Sequence, residues 1–232
     1  MSAGFAKKDC LHCKGTGGEM MPIDIPGLSI KSAWVDCECV EAEKARLDKL
    51  QADGEATRRL LATGIPDRFI GARLTDKPRA GQGAMVKAAQ GMAGRSPLGD
   101  RGLLFCGGVG SGKTHVAAAL MMAFHEKRVS VRWANWSDAL LRFRATFGNG
   151  ATKTEEELHD DFARAAVLFL DDIGAEKTTE FTDNALYQIV NTRYEKMRPT
   201  VVTSNLEGDA LLESIGARVY RRLTETCDVV NL

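Results

Sequence analysis

Residues 107–114 read Gly107-Gly108-Val109-Gly110-Ser111-Gly112-Lys113-Thr114, a run of glycines closing on Lys-Thr. Few other short segments constrain a fold so tightly, because the flanks must also fit. A short apolar run, Leu103 to Cys106, precedes the segment, and an alanine-rich amphipathic stretch from His115 to Glu126 follows it. The whole reads as buried strand, tight loop and helix. Gly107, Gly110 and Gly112 let the backbone turn with its N–H groups inward, and the helix N-terminus adds partial positive charge at the same point. Such a cradle suits the phosphates of ATP. Lys113 would reach the β- and γ-phosphates and the Thr114 hydroxyl would hold Mg2+, with Gly108, Val109, Ser111 and His115 completing the contact.

Downstream, strand and helix patterns alternate, as a parallel sheet with crossover helices requires. Val129–Ala134 predicts a strand, and Trp136–Phe147 a helix with Leu140, Leu141 and Phe143 inward. Thr154–Arg164 predicts an acidic helix whose Glu155, Glu156 and Glu157 favour its N-terminus. Val167–Leu170 is an apolar run ending in Asp171 and Asp172, a Walker B pattern. A buried strand of this kind delivers Asp171 to the sheet edge beside the glycine loop to hold Mg2+, while Asp172 orients or activates the attacking water. Acids that merely cap a buried strand are the plainer alternative. Thr182–Lys196 predicts another helix and Thr200–Ser204 a strand ending at Asn205. Asn205 could hydrogen-bond the γ-phosphate or the water, or serve as an ordinary turn or cap residue. Arg218 and Arg222 are spaced i and i+4 on a short predicted helix, with Arg221 between them. Alone they make a basic surface; in stacked subunits, a guanidinium of one can neutralise charge on ATP held by its neighbour.

Four of the six cysteines fall in the first 39 residues, as Cys10-Leu-His-Cys13 and Cys37-Glu-Cys39. Paired thiolates beside the glycine turn at residues 15–18 suit one tetrahedral Zn2+, which would also stabilise a segment too small for its own core. The single residue between Cys37 and Cys39 is tighter than usual and leaves His12 as a substitute ligand. A disulfide pair and free structural thiols are the alternatives. Cys106 and Cys227 stand alone and read as buried thiols. Val40–Thr63 is rich in helix formers and predicts helices broken near Gly54. The glycine- and proline-bearing stretch from Gly64 to Gly102 predicts a winding path with one helix over Ala84–Met92.

Composition adds bounds. At 232 residues and 44% hydrophobic, the chain is long enough for one main core and a small appendage. Its 31 basic and 31 acidic residues cancel, so overall charge favours no partner class. Locally, Arg58–Arg101 carries nine basic residues against three acidic ones, and Glu155–Asp183 ten acidic against two basic. The basic run fits a phosphate backbone or a solvated face. The N-terminus lacks an apolar signal core and Val116–Phe124 is too short to span a bilayer, so a cytoplasmic protein without a membrane partner is expected.

In order, Gly107–His115, the segment VLFLDDIG, the segment VVTSNL and the segment IGARVYRRL, preceded by GIPDRF at 64–69, resemble the AAA+ helicase loaders of the DnaC type and their IstB-type transposition-helper relatives. The resemblance covers residues 64–232. It implies an AAA+ P-loop domain there, with a parallel sheet flanked by helices, after an N-terminal zinc-binding and helical partner-binding region at 1–63. It also gives Asn205 a sensor-1 role, Arg218 that of arginine finger and Arg222 a second basic role near the subunit interface. The implied activity is an ATPase that self-associates, binds a hexameric replicative helicase and helps place it on single-stranded DNA. Asp172 stands where many AAA+ enzymes have Glu, so slow hydrolysis is expected. From the short segment after Arg222, no helical lid is expected. Arg142, Arg144 and Lys153 are candidate DNA phosphate contacts, or solvated surface charge.

Overall fold

Two compact units, Met1–Arg59 and Leu60–Leu232, divide the chain. The structure, a computed structural model, describes residues 6–22, 32–79, 81–147, 154–177 and 179–232. In the smaller unit, β1 (Gly18–Pro22) and β2 (Ser32–Asp36) form an antiparallel hairpin. Helix α1 (Glu38–Ala62) begins directly after it. Between Val40 and Leu60 the described side chains of α1 are exposed or half-buried, so the helix rests on propensity rather than on a buried stripe. It runs unbroken through Gly54, where a break was expected. A glycine costs a helix interior about 1 kcal/mol, which the surrounding Ala, Glu, Lys, Arg and Leu offset.

In the larger unit, α2 (Gly83–Ala93) precedes β3 (Gly102–Cys106) and α3 (Lys113–Glu126), after which β4 (Val131–Asn135) passes directly into α4 (Trp136–Ala145). Then follow α5 (Glu155–Arg164), β5 (Val167–Ile173), α6 (Glu180–Glu195) and β6 (Thr200–Ser204). Helices α7 (Gly208–Ile215) and α8 (Ala217–Thr226) lead into β7 (Cys227–Asn231). The five strands are parallel in the order β4-β5-β6-β3-β7. Side-chain alternation splits them between two cores. Leu103, Phe105, Val167, Phe169 and Val201 pack with α2 and α3 on one face; Leu104, Cys106, Leu168, Leu170 and Val202 pack with residues of α4 to α8 on the other. A sheet covered on both faces explains the apolar runs of β3 and β5, while β6 buries Thr200, Thr203 and Ser204 with hydrogen-bond partners.

Local rules set several boundaries. Thr154 and Glu157 form a reciprocal capping box that starts α5, and Thr179 with Thr182 does the same for α6. In α4, Trp136, Ala139, Leu140 and Phe143 share the buried face. Leu141, expected inward, is instead 61% exposed, because it lies about 100° round the helix from Leu140 and the buried set follows the i, i+3, i+4 rule.

Arg193 of α6 is 1% exposed. It donates to the carbonyls of Phe162 (3.0 Å), Ala165 (2.9 Å) and Pro199 (2.6 Å) and to the Thr200 hydroxyl (2.9 Å). The C-terminal carbonyls of α5 lack helical partners, and this guanidinium supplies them while pinning α5 to the turn before β6. Burial pushes its pKa down to about 9, so it stays charged at neutral pH. Arg193→Met would strand several buried carbonyls at about 1–3 kcal/mol each. The expected loss is about 3 kcal/mol or more, read as a lower urea midpoint at unchanged slope.

Candidate functional site

Parallel strands bring all their C-terminal ends to one edge of the sheet, and open α/β sheets bind ligands at that edge. Here the ends of β3, β5 and β6 deliver the glycine loop, the two aspartates and Asn205. They surround a cavity of about 420 Å3 lined by Val109, Gly110, Gly112, Lys113, Thr114, His115, Asp171, Asp172 and Asn205. Gly107, Gly108 and Ser111 shape the loop from behind. Lys113 is 5% exposed, and its ammonium donates to the carbonyls of Gly107 (2.7 Å) and Gly108 (2.8 Å), to Ser111 Oγ (3.2 Å) and to Asn205 Oδ1 (3.0 Å). Burial lowers the Lys113 pKa, while the charges of Asp172, Cys106 and Asp171 oppose that shift.

Asp171 Oδ1 accepts hydrogen bonds from Thr114 Oγ1 (2.9 Å) and Thr203 Oγ1 (2.8 Å). The carboxyl pKa is raised by burial, against the effect of these two donors and of the Asn135 side chain. Asp172 adopts φ +61° at a register shift between β5 and β6, a left-handed conformation rare outside glycine. Two contacts hold it there: its N–H donates to Thr203 Oγ1 (2.9 Å), and its Oδ1 accepts from Asn205 Nδ2 (2.6 Å). The Asn205 amide thus bridges Lys113 and Asp172.

Thr203, 2% exposed, grips both aspartates and was not singled out in the sequence. The available signal was weak, since Thr203 is one of three hydroxyl residues in TVVTS and stands two residues before Asn205. The basic run at 58–101 has an unforeseen place as well: its Arg68, Arg73, Lys77 and Arg79 line the cavity. His115 lies there too, 3.7 Å from Asp76 and edge-on to Phe69.

Arg218 and Arg222 do not line the cavity. On α8, Arg218 stacks on the Tyr187 ring at 4.6 Å, while Arg222 lies over Tyr187 and Tyr194 and donates to Asn191 Oδ1 (2.8 Å) and the Tyr187 hydroxyl (3.1 Å). Arg142 and Arg144 are exposed on α4, with Arg144 5.7 Å from the Phe181 ring. Lys153 lies outside the described residues. Cys106 and Cys227 are buried thiols, pushed up by burial to about 11 and about 12.

In the smaller unit, the sulfurs of Cys10, Cys13, Cys37 and Cys39 lie within 4.8 Å of one another. The Cys10–Cys37 and Cys13–Cys39 separations are 3.7 and 3.6 Å. A tetrahedral S4 zinc site has sulfur–sulfur edges of about 3.8 Å, so the cluster has the dimensions of one. The close Cys37–Cys39 spacing works because Cys37 caps α1, its carbonyl accepting from Val40 and Glu41, while Cys39 sits in the first turn. His12 is exposed and outside the group.

Thr203→Val removes one hydroxyl donor from Asp171 and should raise that carboxyl pKa further, an upward shift visible in a carbon-13 titration of the side chain. Because the folded-state pKa is already raised, ionised Asp171 costs stability that returns as pH falls through it. The Val variant should therefore regain stability from a higher pH than the parent.

Three comparisons bear on this arrangement. Residues 93–231 match the sequence profile described as IstB-like ATP binding protein. "Replicative helicase loader DnaC" of Escherichia coli K12 is 30% identical over 120 residues, 52% of this chain and 49% of that protein. The chain thus spans about half the length of these DnaC relatives. "Phage-like element PBSX protein XkdC" of Bacillus subtilis is 25% identical over 95% of this chain and 81% of its own length. A solved structure, "Crystal structure of the DnaC helicase loader", superposes with TM-score 0.63 at 23% identity, covering 72% of this chain and 99% of that one, and shows the shared fold. Among the described residues no helix is long and apolar enough to cross a membrane. With its loop, paired aspartates and strand order, the chain belongs to the IstB-like ATP-binding proteins and carries their AAA+ P-loop fold.

Proposed function

We propose that the chain is a slow, assembly-stimulated ATPase that loads a hexameric replicative helicase onto single-stranded DNA. The observation that carries the reading is the joining of Lys113, Asn205 and Asp172 in one hydrogen-bonded line beside Asp171, while Arg218 stands outside the cavity. Such a site positions a nucleotide within one subunit, and an arginine outside the cavity is free to act on the nucleotide of a neighbour. The likeness to proteins named as helicase loaders supports the partner assignment.

In this reading the loop N–H groups and Lys113 bind the phosphates, exchanging the Lys113 contacts to loop carbonyls for phosphate oxygens. Thr114 and Asp171 would hold Mg2+, which would supply charge neutralisation to the phosphates. Asp172 accepts the proton of the attacking water, and Asn205 orients that water or the γ-phosphate. The aspartate is one methylene shorter than the common glutamate, consistent with slow turnover and a switch-like cycle. Cys10, Cys13, Cys37 and Cys39 would hold a structural Zn2+ in the partner-binding region; without the ion the thiols share their protons unevenly, backbone N–H groups of Cys13 and His12 bringing Cys10 down to about 6 while, against the Cys39 N–H, burial and the neighbouring thiols push Cys37 up to about 12. The profile match favours a second reading, in which the same ATPase serves a transposase.

Lys113→Ala should abolish ATP binding, measured by calorimetry. Arg218→Ala should keep the parental Kd but lose at least tenfold in hydrolysis when DNA and partner are present; parental turnover under those conditions would remove Arg218 from the trans-acting role. A pull-down with ATP should retain a replicative helicase on the parent and not on Lys113→Ala. Recovery of a transposase would favour the second reading, and ATP-dependent capture without hydrolysis a non-hydrolysing adaptor.

Purified protein should contain one Zn2+ per chain by elemental analysis. Cys13→Ser should lose most of it, and strong chelation should open the cysteine cluster and the β1–β2 hairpin to proteolysis while sparing ATP binding.

A further inference from the structure

Gln82, immediately before α2, is 6% exposed, and both ends of its amide are engaged. Oε1 accepts from the Arg79 N–H at 3.0 Å, and Nε2 donates to the Ser111 carbonyl at 3.0 Å, joining segments 29 residues apart. The approach depends on a missing side chain. A Cβ on Gly112, which has φ +88°, would lie 2.0 Å from Gln82 Nε2, so a glycine satisfies two requirements at once: the left-handed turn and the space for the glutamine.

The consequence follows from peptide geometry. A trans peptide is planar, with its C=O and N–H on opposite sides. A Ser111 carbonyl held against Gln82 therefore turns the Gly112 N–H the other way, within the loop that lines the nucleotide cavity. We propose that Gln82 is a positioning residue for nucleotide binding: it fixes the Ser111–Gly112 peptide so that the Gly112 N–H is already aimed at phosphate. The Arg79 bond sets which end of the amide faces the loop, since only the oxygen can accept that N–H. The proposal deepens the ATP-binding reading of the same site and rests on it. A preset donor to a charged acceptor strengthens phosphate binding, and its loss weakens phosphate binding without touching the base.

The test is Gln82→Met, similar in length and uncharged, with calorimetric or competition affinities for MgATP, MgADP and adenosine measured beside wild type. Losing one aligned bond to a charged group predicts about tenfold weaker MgATP and MgADP, with adenosine within about twofold of wild type. A merely structural role would weaken all three in parallel, and that result, or unchanged MgATP affinity, overturns the proposal. Wild type that binds no nucleotide would sink the site reading and Gln82 with it, whereas normal wild-type binding with an unaffected variant sinks Gln82 alone. Should the Met variant not fold, hydrogen exchange at the Gly112 amide of wild type gives the readout. Strong protection on adding MgADP supports the assignment, and continued fast exchange overturns it.

Discussion

One buried carboxylate organises the larger unit. Asp171 joins three elements that are distant in sequence, since it sits on β5 and accepts from Thr114 of α3 and Thr203 of β6. Hydrogen bonds to a charged acceptor contribute about 1.5–3 kcal/mol each, and burying the ion costs several. The raised pKa shows that burial wins this balance. The site therefore holds a charge that its own residues compensate incompletely, which is the condition under which a divalent cation gains most from arriving.

Lys113 presents the mirror problem. Its ammonium is desolvated and surrounded by neutral acceptors, so it is held in place without being neutralised. A direct ion pair between Lys113 and Asp172 would satisfy both groups and close the cavity. The Asn205 amide prevents this by offering its oxygen to one and its nitrogen to the other. A neutral spacer between opposite charges leaves each free for another partner: in the proposed mechanism, phosphate for the lysine and the attacking water for the aspartate. The left-handed backbone at Asp172 is part of the same device, since the shift in register aims its side chain at Asn205 rather than along the strand.

How much of this was legible in the sequence follows from the forces involved. Strands β3 and β5 were plain because burial on both faces gives apolar runs, and the glycine loop because phosphate geometry demands its residues. Strand β7 was missed: at the sheet edge it buries Cys227 and leaves Val229 exposed, so CDVVN carries neither a full apolar run nor a long alternation. The β1–β2 hairpin lacks a core and exposes Met20 and Trp34, which removes the signal that marks a strand. Thr203 and Gln82 escaped for another reason. Their importance lies in partners 32 and 29 residues away, and no local pattern encodes a hydrogen bond of that range. The two arginines were read as a pair because i and i+4 share a face, yet the structure gives them different surroundings.

That difference bears on the trans-acting role proposed for Arg218. Arg222 is half-buried, makes two side-chain hydrogen bonds to α6 and lies over two aromatic rings. Removing it from that nest would forfeit several kcal/mol, so it is better suited to fixing α8 against α6. Arg218 is exposed, and stacking on one face of Tyr187 holds it by about 0.5–1 kcal/mol. A contact of that size orders the side chain yet yields readily to a bidentate bond with phosphate, which is worth more. Tyr187 therefore serves the two residues differently. Its hydroxyl and ring together hold Arg222, whereas Arg218 has the ring alone; in the proposed assembly, reaching a neighbour's nucleotide would cost little more than leaving that ring.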